Sequence, residues 1–449
     1  MMRRWLLTCA ALGLAAVLWV VFDNYADGVD VSANGTPLVS PEQVTSEQVT
    51  SEQVTPEQVT QGAYLARAGN CMSCHTAPGQ TPFAGGRAIE TPFGIVYSSN
   101  LTPDDATGLG RWNAQHFWRA LHHGRSFDGH LLAPAFPYNH TSLVTRSDAD
   151  ALWAYFKSLA PVRQAQPSAE LRWPFGTQAA FAAWRSLYFK PATWSPQPQR
   201  SAQWNRGAYL VEGLGHCAAC HGPRDALGGG AALDDLQGGL IPVVNWYAPS
   251  LLSDADTRLA QTPVQDTVQL LQTGHASHAW VSGPMREVVQ HSTQHLSTAD
   301  LTAMATYLQT RARDAEHAST WATSAPEPAP QPRAPSQRSS QRGAALYEDH
   351  CAVCHGKQGQ GVADAYPPLA GSAAVQMAQT TNLVQAVMYG GFSATTSAQP
   401  QPFGMPPFLL KLSDRDMADV LTHIRTQWGN AAGALTEFDV ARVREMQGR

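Results

Sequence analysis

Six cysteines and three histidines fall into one repeated pattern: Cys71-Met72-Ser73-Cys74-His75, Cys217-Ala218-Ala219-Cys220-His221 and Cys351-Ala352-Val353-Cys354-His355. On a helix, cysteines at i and i+3 and a histidine at i+4 share one face. Two thiols so placed can join a porphyrin as thioethers while the histidine ligates its iron, and Cys-x-x-Cys-His is the attachment pattern of c-type haem. A dithiol redox pair or half of a zinc site needs the cysteines, but neither needs a histidine directly after the second one in every copy. The reading is therefore three covalently bound haem c groups. Cys71, Cys74, Cys217, Cys220, Cys351 and Cys354 hold them, and His75, His221 and His355 are the proximal iron ligands. The chemistry is electron transfer, because haem iron is the reactive group in evidence.

An electron-transfer haem generally takes a second axial ligand, and methionine there raises the potential relative to histidine. In the third region Gly404-Met405-Pro406-Pro407 stands in a proline-rich loop ahead of the last helical pattern, and in the second Gly283-Pro284-Met285 has the same place. Met285 and Met405 are the expected distal ligands, whereas Met304, Met388 and Met417 fall on helical core faces. From Ser73 to Pro284 the chain has no methionine. The first haem cannot have a local one: its loop reads Pro134-Ala135-Phe136-Pro137-Tyr138, with His140 four residues after Phe136. His140 is the expected sixth ligand there, with His116, His122, His123 and His130 in competition.

Repeats show what positions these groups. Gly62-Ala63-Tyr64-Leu65, Gly207-Ala208-Tyr209-Leu210 and Gly343-Ala344-Ala345-Leu346 precede the three motifs, each as a helix running into its haem segment. Ser147-x-x-Asp150, Ser297-x-x-Asp300 and Ser413-x-x-Asp416 read as capping boxes, each opening a later amphipathic helix. Each unit is thus a leading helix, a haem motif, a loop-rich stretch and a capped closing helix. The fold class is all-α: three tandem class I cytochrome c domains with an N-terminal membrane segment.

The chain has 449 residues, a net charge of −5 and 14% charged residues, which fits about three domains and argues against nucleic acid as a partner. The haem motifs are spaced 146 and 134 residues apart. The expected divisions are a leader at 1–24, a repetitive tether at 25–60, haem domains at 61–165, 201–312 and 341–430, an aromatic connecting segment at 166–200, a Pro/Ser/Gln linker at 313–340 and a tail at 431–449. Arg3 and Arg4 precede an uncharged stretch from Trp5 to Phe22, close to the minimum length of a span, and Cys9 within it is inert filler. This favours an uncleaved anchor in a bacterial cytoplasmic membrane, with the rest of the chain on the periplasmic side. The four five-residue units of 41–60 read as a solvated tether, and the linker makes the third domain the most mobile. The aromatic segment from Trp173 to Trp194 reads as an interdomain packing helix.

The motifs resemble the triple-haem cytochrome c subunits of bacterial membrane-bound dehydrogenases. The likeness spans about residues 60 to 430. It rests on the three haem motifs, Thr91-Pro92-Phe93-Gly94 with Tyr97-Ser98 and Asn100-Leu101-Thr102-Pro103, the Phe136 loop, and Trp204-Asn205-Arg206-Gly207. The resemblance implies electrons taken from a periplasmic catalytic subunit and delivered to ubiquinone. In the branch serving quinoprotein alcohol dehydrogenases, the first loop has a methionine ligand where this chain has Phe136. The branch attached to molybdenum hydroxylases, which oxidise aldehydes or nitrogen heterocycles, is more similar, with Phe at that position and a histidine soon after. The resemblance thus implies molybdopterin and iron–sulfur partner subunits.

The function expected is an electron relay within a dehydrogenase complex, not catalysis alone. Rivals are the cytochrome subunit of a quinoprotein alcohol dehydrogenase, a haem enzyme reducing a small substrate at an open first haem, and a plain carrier feeding an oxidase. No nucleotide-binding fingerprint, serine triad or paired-carboxylate hydrolase pattern stands out. The stretch Gly356 to Gly361 lacks P-loop spacing and reads as the loop after a haem motif.

Overall fold

The computed structural model describes residues 2–26, 54–230, 232–277, 279–321 and 333–447. They gather into two compact units, the first mainly from residues up to Ser195 and the second mainly from Pro196 onward. One helix crossing recurs three times. The leading helices are Pro56–Ala68, Ala202–Ala208 and Gln337–His350, and the closing helices are Arg146–Ser158, Thr298–Trp321 and Asp414–Thr426. At each crossing a glycine of the leading helix lies so close that a Cβ would overlap a carbonyl oxygen of the closing helix: Gly62 with Ala151, Gly207 with Ala303 and Gly343 with Asp419. The Gly-Ala-Tyr-Leu repeat therefore marks a contact point between backbones.

Of the three expected capping boxes, the third forms in full and the second shows its cap bond. Ser413 and Asp416 bond reciprocally, and Ser297 Oγ accepts from the Asp300 amide at 3.1 Å. The first does not form as expected: the closing helix begins at Arg146, so Ser147 lies inside it and Thr145 is the cap, accepting from the Asp148 amide at 3.3 Å. Thr145-x-x-Asp148 fits the same pattern two residues earlier. In the second and third domains the Asp three residues past the cap binds an arginine beside the crossing glycine, Arg206 Nε to Asp300 and Arg342 Nε to Asp416, each at 2.8 Å. In the first domain those places hold Gln61 and Asp148, so no such ion pair forms between them, and Asp150 pairs with Arg146 within its own helix.

The all-α expectation holds for the cores and fails in the loops. β1 (Ala88–Thr91), β2 (Gly94–Tyr97) and β3 (Glu170–Leu171) form a three-stranded antiparallel sheet, with Ile89 opposite Val96 and Ile95 opposite Glu170. Thr91-Pro92-Phe93-Gly94 is the turn between β1 and β2, closed by Thr91 Oγ1 donating to the Gly94 carbonyl at 2.7 Å. The pairs β4 (Gly239–Leu240) with β5 (Tyr247–Ala248), and β6 (Gly391–Phe392) with β7 (Gly404–Met405), are two-residue ladders.

The N-terminal helix, Met2–Ala26, is present, but among the described residues no helix is long and apolar enough to cross a membrane. The expected N-terminal membrane segment is thus a helix, and no membrane span is found for it among the described residues. The C-terminal end of this helix is held by polar bonds: Asn24 Nδ2 donates to the Ala182 carbonyl at 3.1 Å, and its Oδ1 accepts from Arg185 Nε at 3.2 Å. The aromatic segment carries helix Gln178–Tyr188, whose buried Arg185 lies over the Phe189 ring at 4.5 Å and donates to the His123 carbonyl at 2.7 Å. It is a packing helix.

Of the tether, residues 27–53 lie outside the described residues, and its last five-residue unit is the first turn of the leading helix, with Gln58 and Thr55 bonding reciprocally. The expected C-terminal tail is part of the third core: it forms helix Glu437–Gln447, and Val440 and Val443 are fully buried against Met417, Leu421 and Val384. Residues 322–332 of the linker lie outside the described residues, but the third domain is tied to the second. Tyr247 and Asn382 exchange two hydrogen bonds, at 2.8 and 2.7 Å, and Gln385 Nε2 donates to the Asn245 carbonyl at 2.6 Å. The expectation of a loosely tethered third domain is therefore not met.

Candidate haem sites

Each motif histidine is seated by the same three hydrogen bonds. Its Nδ1 meets a backbone carbonyl: His75 with Ser99 at 2.7 Å, His221 with Pro249 at 2.7 Å and His355 with Pro367 at 2.9 Å. A carbonyl can only accept, so Nδ1 carries the proton and the Nε2 lone pair is left for a metal. Secondly, a glycine amide returns to the carbonyl of the histidine itself, Gly85 to His75 at 2.8 Å, Gly238 to His221 at 2.7 Å and Gly361 to His355 at 2.8 Å. Thirdly, the amides of Leu101, Leu251 and Leu369, each two residues past the carbonyl that Nδ1 meets, donate to Phe83, Leu236 and Gly359, each two residues before the glycine.

These glycines have φ of 77°, 83° and 67°, and a Cβ on any of them would crowd the backbone that supplies the carbonyl. The intervening loops differ, with 10, 17 and 6 residues from histidine to glycine, yet the frame closes identically. Burial lowers the affinity of all three imidazoles for a second proton and outweighs the opposing carbonyl bond, so the rings stay in the neutral form that ligates iron.

The cysteines stand one helical turn apart beside these histidines and form no disulfide. Burial pushes the Cys217 thiol up to about 12 and that of Cys351 to about 11. Thiols this reluctant to ionise do not suit a reactive redox pair at Cys217 or Cys351, and the residues fit the double thioether of a c-type haem.

Around the expected distal residues, each middle helix, Ala114–His123, Val264–Thr273 and Thr381–Tyr389, ends at a positive-φ glycine, Gly124, Gly274 or Gly390, which opens a bridged loop. Bridges join Arg125 to Leu131 and His275 to Trp280, and the β6–β7 pair joins Gly391 to Met405. Met285 lies five residues past Trp280, and Phe136 lies five residues past Leu131, so the two occupy one register. Met285 and Met405 are half-buried, whereas Met304, Met388 and Met417 belong to the cores, as their helical spacing implied.

In the first domain His140 sits buried in the short helix Tyr138–Thr141. His116 instead completes the N-cap of its own helix, and His130 pairs with Asp128 at 2.6 Å on the surface. His122 is buried but stacks on Trp118 at 4.4 Å, and the half-buried His123 gives its carbonyl to Arg185. His140 and His122 are thus the buried imidazoles of this domain. The three carbonyls that set the proximal tautomer escaped sequence reasoning, because a backbone acceptor has no residue signature.

A cytochrome c family model matches residues 340–428. Over most of its length the chain is similar to the cytochrome c subunit of a quinone alcohol dehydrogenase from Gluconacetobacter polyoxogenes, with 38% identity over 86% of this chain and 84% of that one. It is also 38% identical to the gluconate 2-dehydrogenase cytochrome c subunit of Pantoea cypripedii, over 86% of this chain and 89% of that one. A nicotinate dehydrogenase subunit from Pseudomonas putida is 37% identical over 81% of this chain, a stretch that spans 30% of that longer protein.

Proposed function

The chain belongs to the cytochrome c subunits of dehydrogenase complexes, and we propose that in such a complex it is a relay of three covalent haem c groups. The observation that carries the number three is the Nδ1-to-carbonyl bond repeated at His75, His221 and His355 within one hydrogen-bonded frame. Haem supplies one-electron redox chemistry. The chain's own part is to fix the imidazole tautomer, supply the thiols, and set each potential through the distal side chain and burial. Met285 and Met405 are the distal ligands of the second and third sites, and His140 is that of the first.

The catalytic partner in this reading is a molybdopterin subunit with an iron–sulfur subunit, oxidising an aldehyde or a nitrogen heterocycle. The electron acceptor is ubiquinone, and the complex lies on the periplasmic face of the cytoplasmic membrane. Phe136 at the register of Met285 supports this choice, as does likeness to a dehydrogenase of nicotinate, itself a nitrogen heterocycle. The likeness to subunits of quinone alcohol and gluconate dehydrogenases supports the other choice, a partner of that kind.

Cofactor analysis of the complex co-purified from detergent-solubilised membranes separates them. Molybdenum with non-haem iron is the expected result, and a quinoprotein or flavin cofactor without molybdenum would overturn the choice of partner. Haem per chain, measured on the same sample, is expected to be three. Fast cyanide or carbon monoxide binding at the first haem would make that site open and overturn His140 as its ligand.

A further inference from the structure

The second domain has the longest stretch between its crossing glycine and its haem motif. Cys217 lies ten residues after the crossing glycine Gly207, against nine from Gly62 to Cys71 and eight from Gly343 to Cys351. The chain absorbs the extra length as a π-helical turn, Tyr209–Leu214, and such turns gather at functional positions. Its carbonyls hold the start of the haem segment: Leu210 accepts from the Gly215 amide at 2.7 Å, Gly213 from His216 at 3.1 Å and Val211 from Cys217 at 3.0 Å. Between those acceptors stands Glu212.

The residue at this offset from the crossing glycine is an exposed Arg67 in the first domain and an exposed Glu348, paired with Lys357 at 3.0 Å, in the third. Glu212 alone faces inward. Its Oε1 accepts from the hydroxyl of Tyr307 at 2.5 Å, and Tyr307 is fully buried in the closing helix. Arg311, one turn later, donates to the Tyr307 hydroxyl at 3.2 Å and to Asp234 Oδ2 at 2.5 Å, and Asp234 reaches solvent. On the leading helix, Arg206 is engaged with Asp300 and lies over the Tyr209 ring at 5.7 Å. His216, in the segment itself, is held by the backbone of Gly69. Burial raises the Glu212 carboxyl above the ordinary carboxylate range and Asp234 adds to this, while the Tyr307 hydrogen bond and Arg311 oppose it.

We propose that Glu212 is a redox-linked proton site, taking up a proton as the second haem is reduced and releasing it on oxidation. The balance is one electron from the dehydrogenase donor to ferric iron, giving ferrous iron, and one proton from water to the carboxylate, giving the acid. No bond to iron changes. Val211, next to Glu212, holds the amide of the haem-bearing Cys217, so an electron added at that haem raises the carboxylate's affinity for a proton through the field it adds, and reduction and protonation favour each other. The proposal rests on the second motif carrying haem, which the mass of the Cys217–Cys220 peptide reports separately.

The test is a spectroelectrochemical titration of the full haem-loaded chain across pH, with redox-difference infrared spectra on the same samples. In the parent protein the second-haem potential is expected to fall as pH rises, by up to ~59 mV for each tenfold change in proton activity, for one electron. A carboxylic acid carbonyl band is expected to appear on reduction. Glu212→Gln is expected to flatten the slope and remove the band. Tyr307→Phe, which removes a bond favouring the carboxylate, keeps the slope and moves its window to higher pH. A pH-independent parent potential, or an unchanged slope in Glu212→Gln, overturns the proposal. A haem-free Cys217–Cys220 peptide would instead overturn the assignment of the second site.

Discussion

The first and second haem domains share the three hydrogen bonds that seat the proximal histidine and the glycine at the helix crossing. In the loop after the middle helix, where the distal ligand is proposed, they diverge: Phe136 and His140 stand in one, Met285 in the other. Beside the crossing, the first domain has Gln61 where the second has the Arg206–Asp300 pair, and the residue five beyond the glycine is an exposed Arg67 in one and an inward Glu212 in the other. What is held constant is carried by backbone, and what varies is carried by side chains. Potential can therefore be adjusted domain by domain without disturbing the seat that fixes iron.

The shared part breaks with the largest effect. Gly62→Val and Gly207→Val each force a side chain onto a closing-helix carbonyl, and each is expected to cost about 3 kcal/mol in thermal unfolding followed at the haem band. Unequal costs would mean that the two crossings are not equivalent. Next comes the divergent part. Phe136→Met gives the first domain the residue of the second at the same register and is expected to raise its haem potential, on the order of 100 mV out of the roughly 0.8 V that axial ligands span. A first haem that already titrates with the second in the parent protein would remove that contrast.

Smaller effects sharpen the boundaries. Thr145→Ala is expected to cost about 1 kcal/mol in chemical denaturation and Ser147→Ala close to nothing, since only Thr145 caps the helix. The reverse order would restore Ser147 as the cap. Last, Arg206→Ala is expected to lose roughly 0.5 kcal/mol of coupling to Asp300 in a double-mutant cycle, because the pair is only partly shielded from water. The same cycle on Gln61 and Asp148, which hold those places in the first domain, should return none.

The haem residues, the crossing glycines and the closing helices were legible in the sequence because each is written in side-chain identity at fixed spacing. The choice between Ser147 and Thr145 was not, since both precede an aspartate by three residues and only the helix start decides. The ties of Tyr247 to Asn382 join residues 135 positions apart, with no local pattern to announce them. The longer stretch ahead of Cys217 could be counted in the sequence, but its meaning depends on a π turn that places Glu212 against Tyr307. Small ladders such as Gly391 with Met405 are too short to leave an alternating pattern.

The span between each motif histidine and its closing glycine can be 6, 10 or 17 residues without altering either anchor. Each such loop therefore behaves as an exchangeable cassette. A foreign peptide or a reporter grafted into the turn at 225–229, clear of Asp234 and of the Leu236 carbonyl that closes the frame, should leave iron coordination intact, which makes this turn the natural port for wiring the chain to an electrode or a new redox partner.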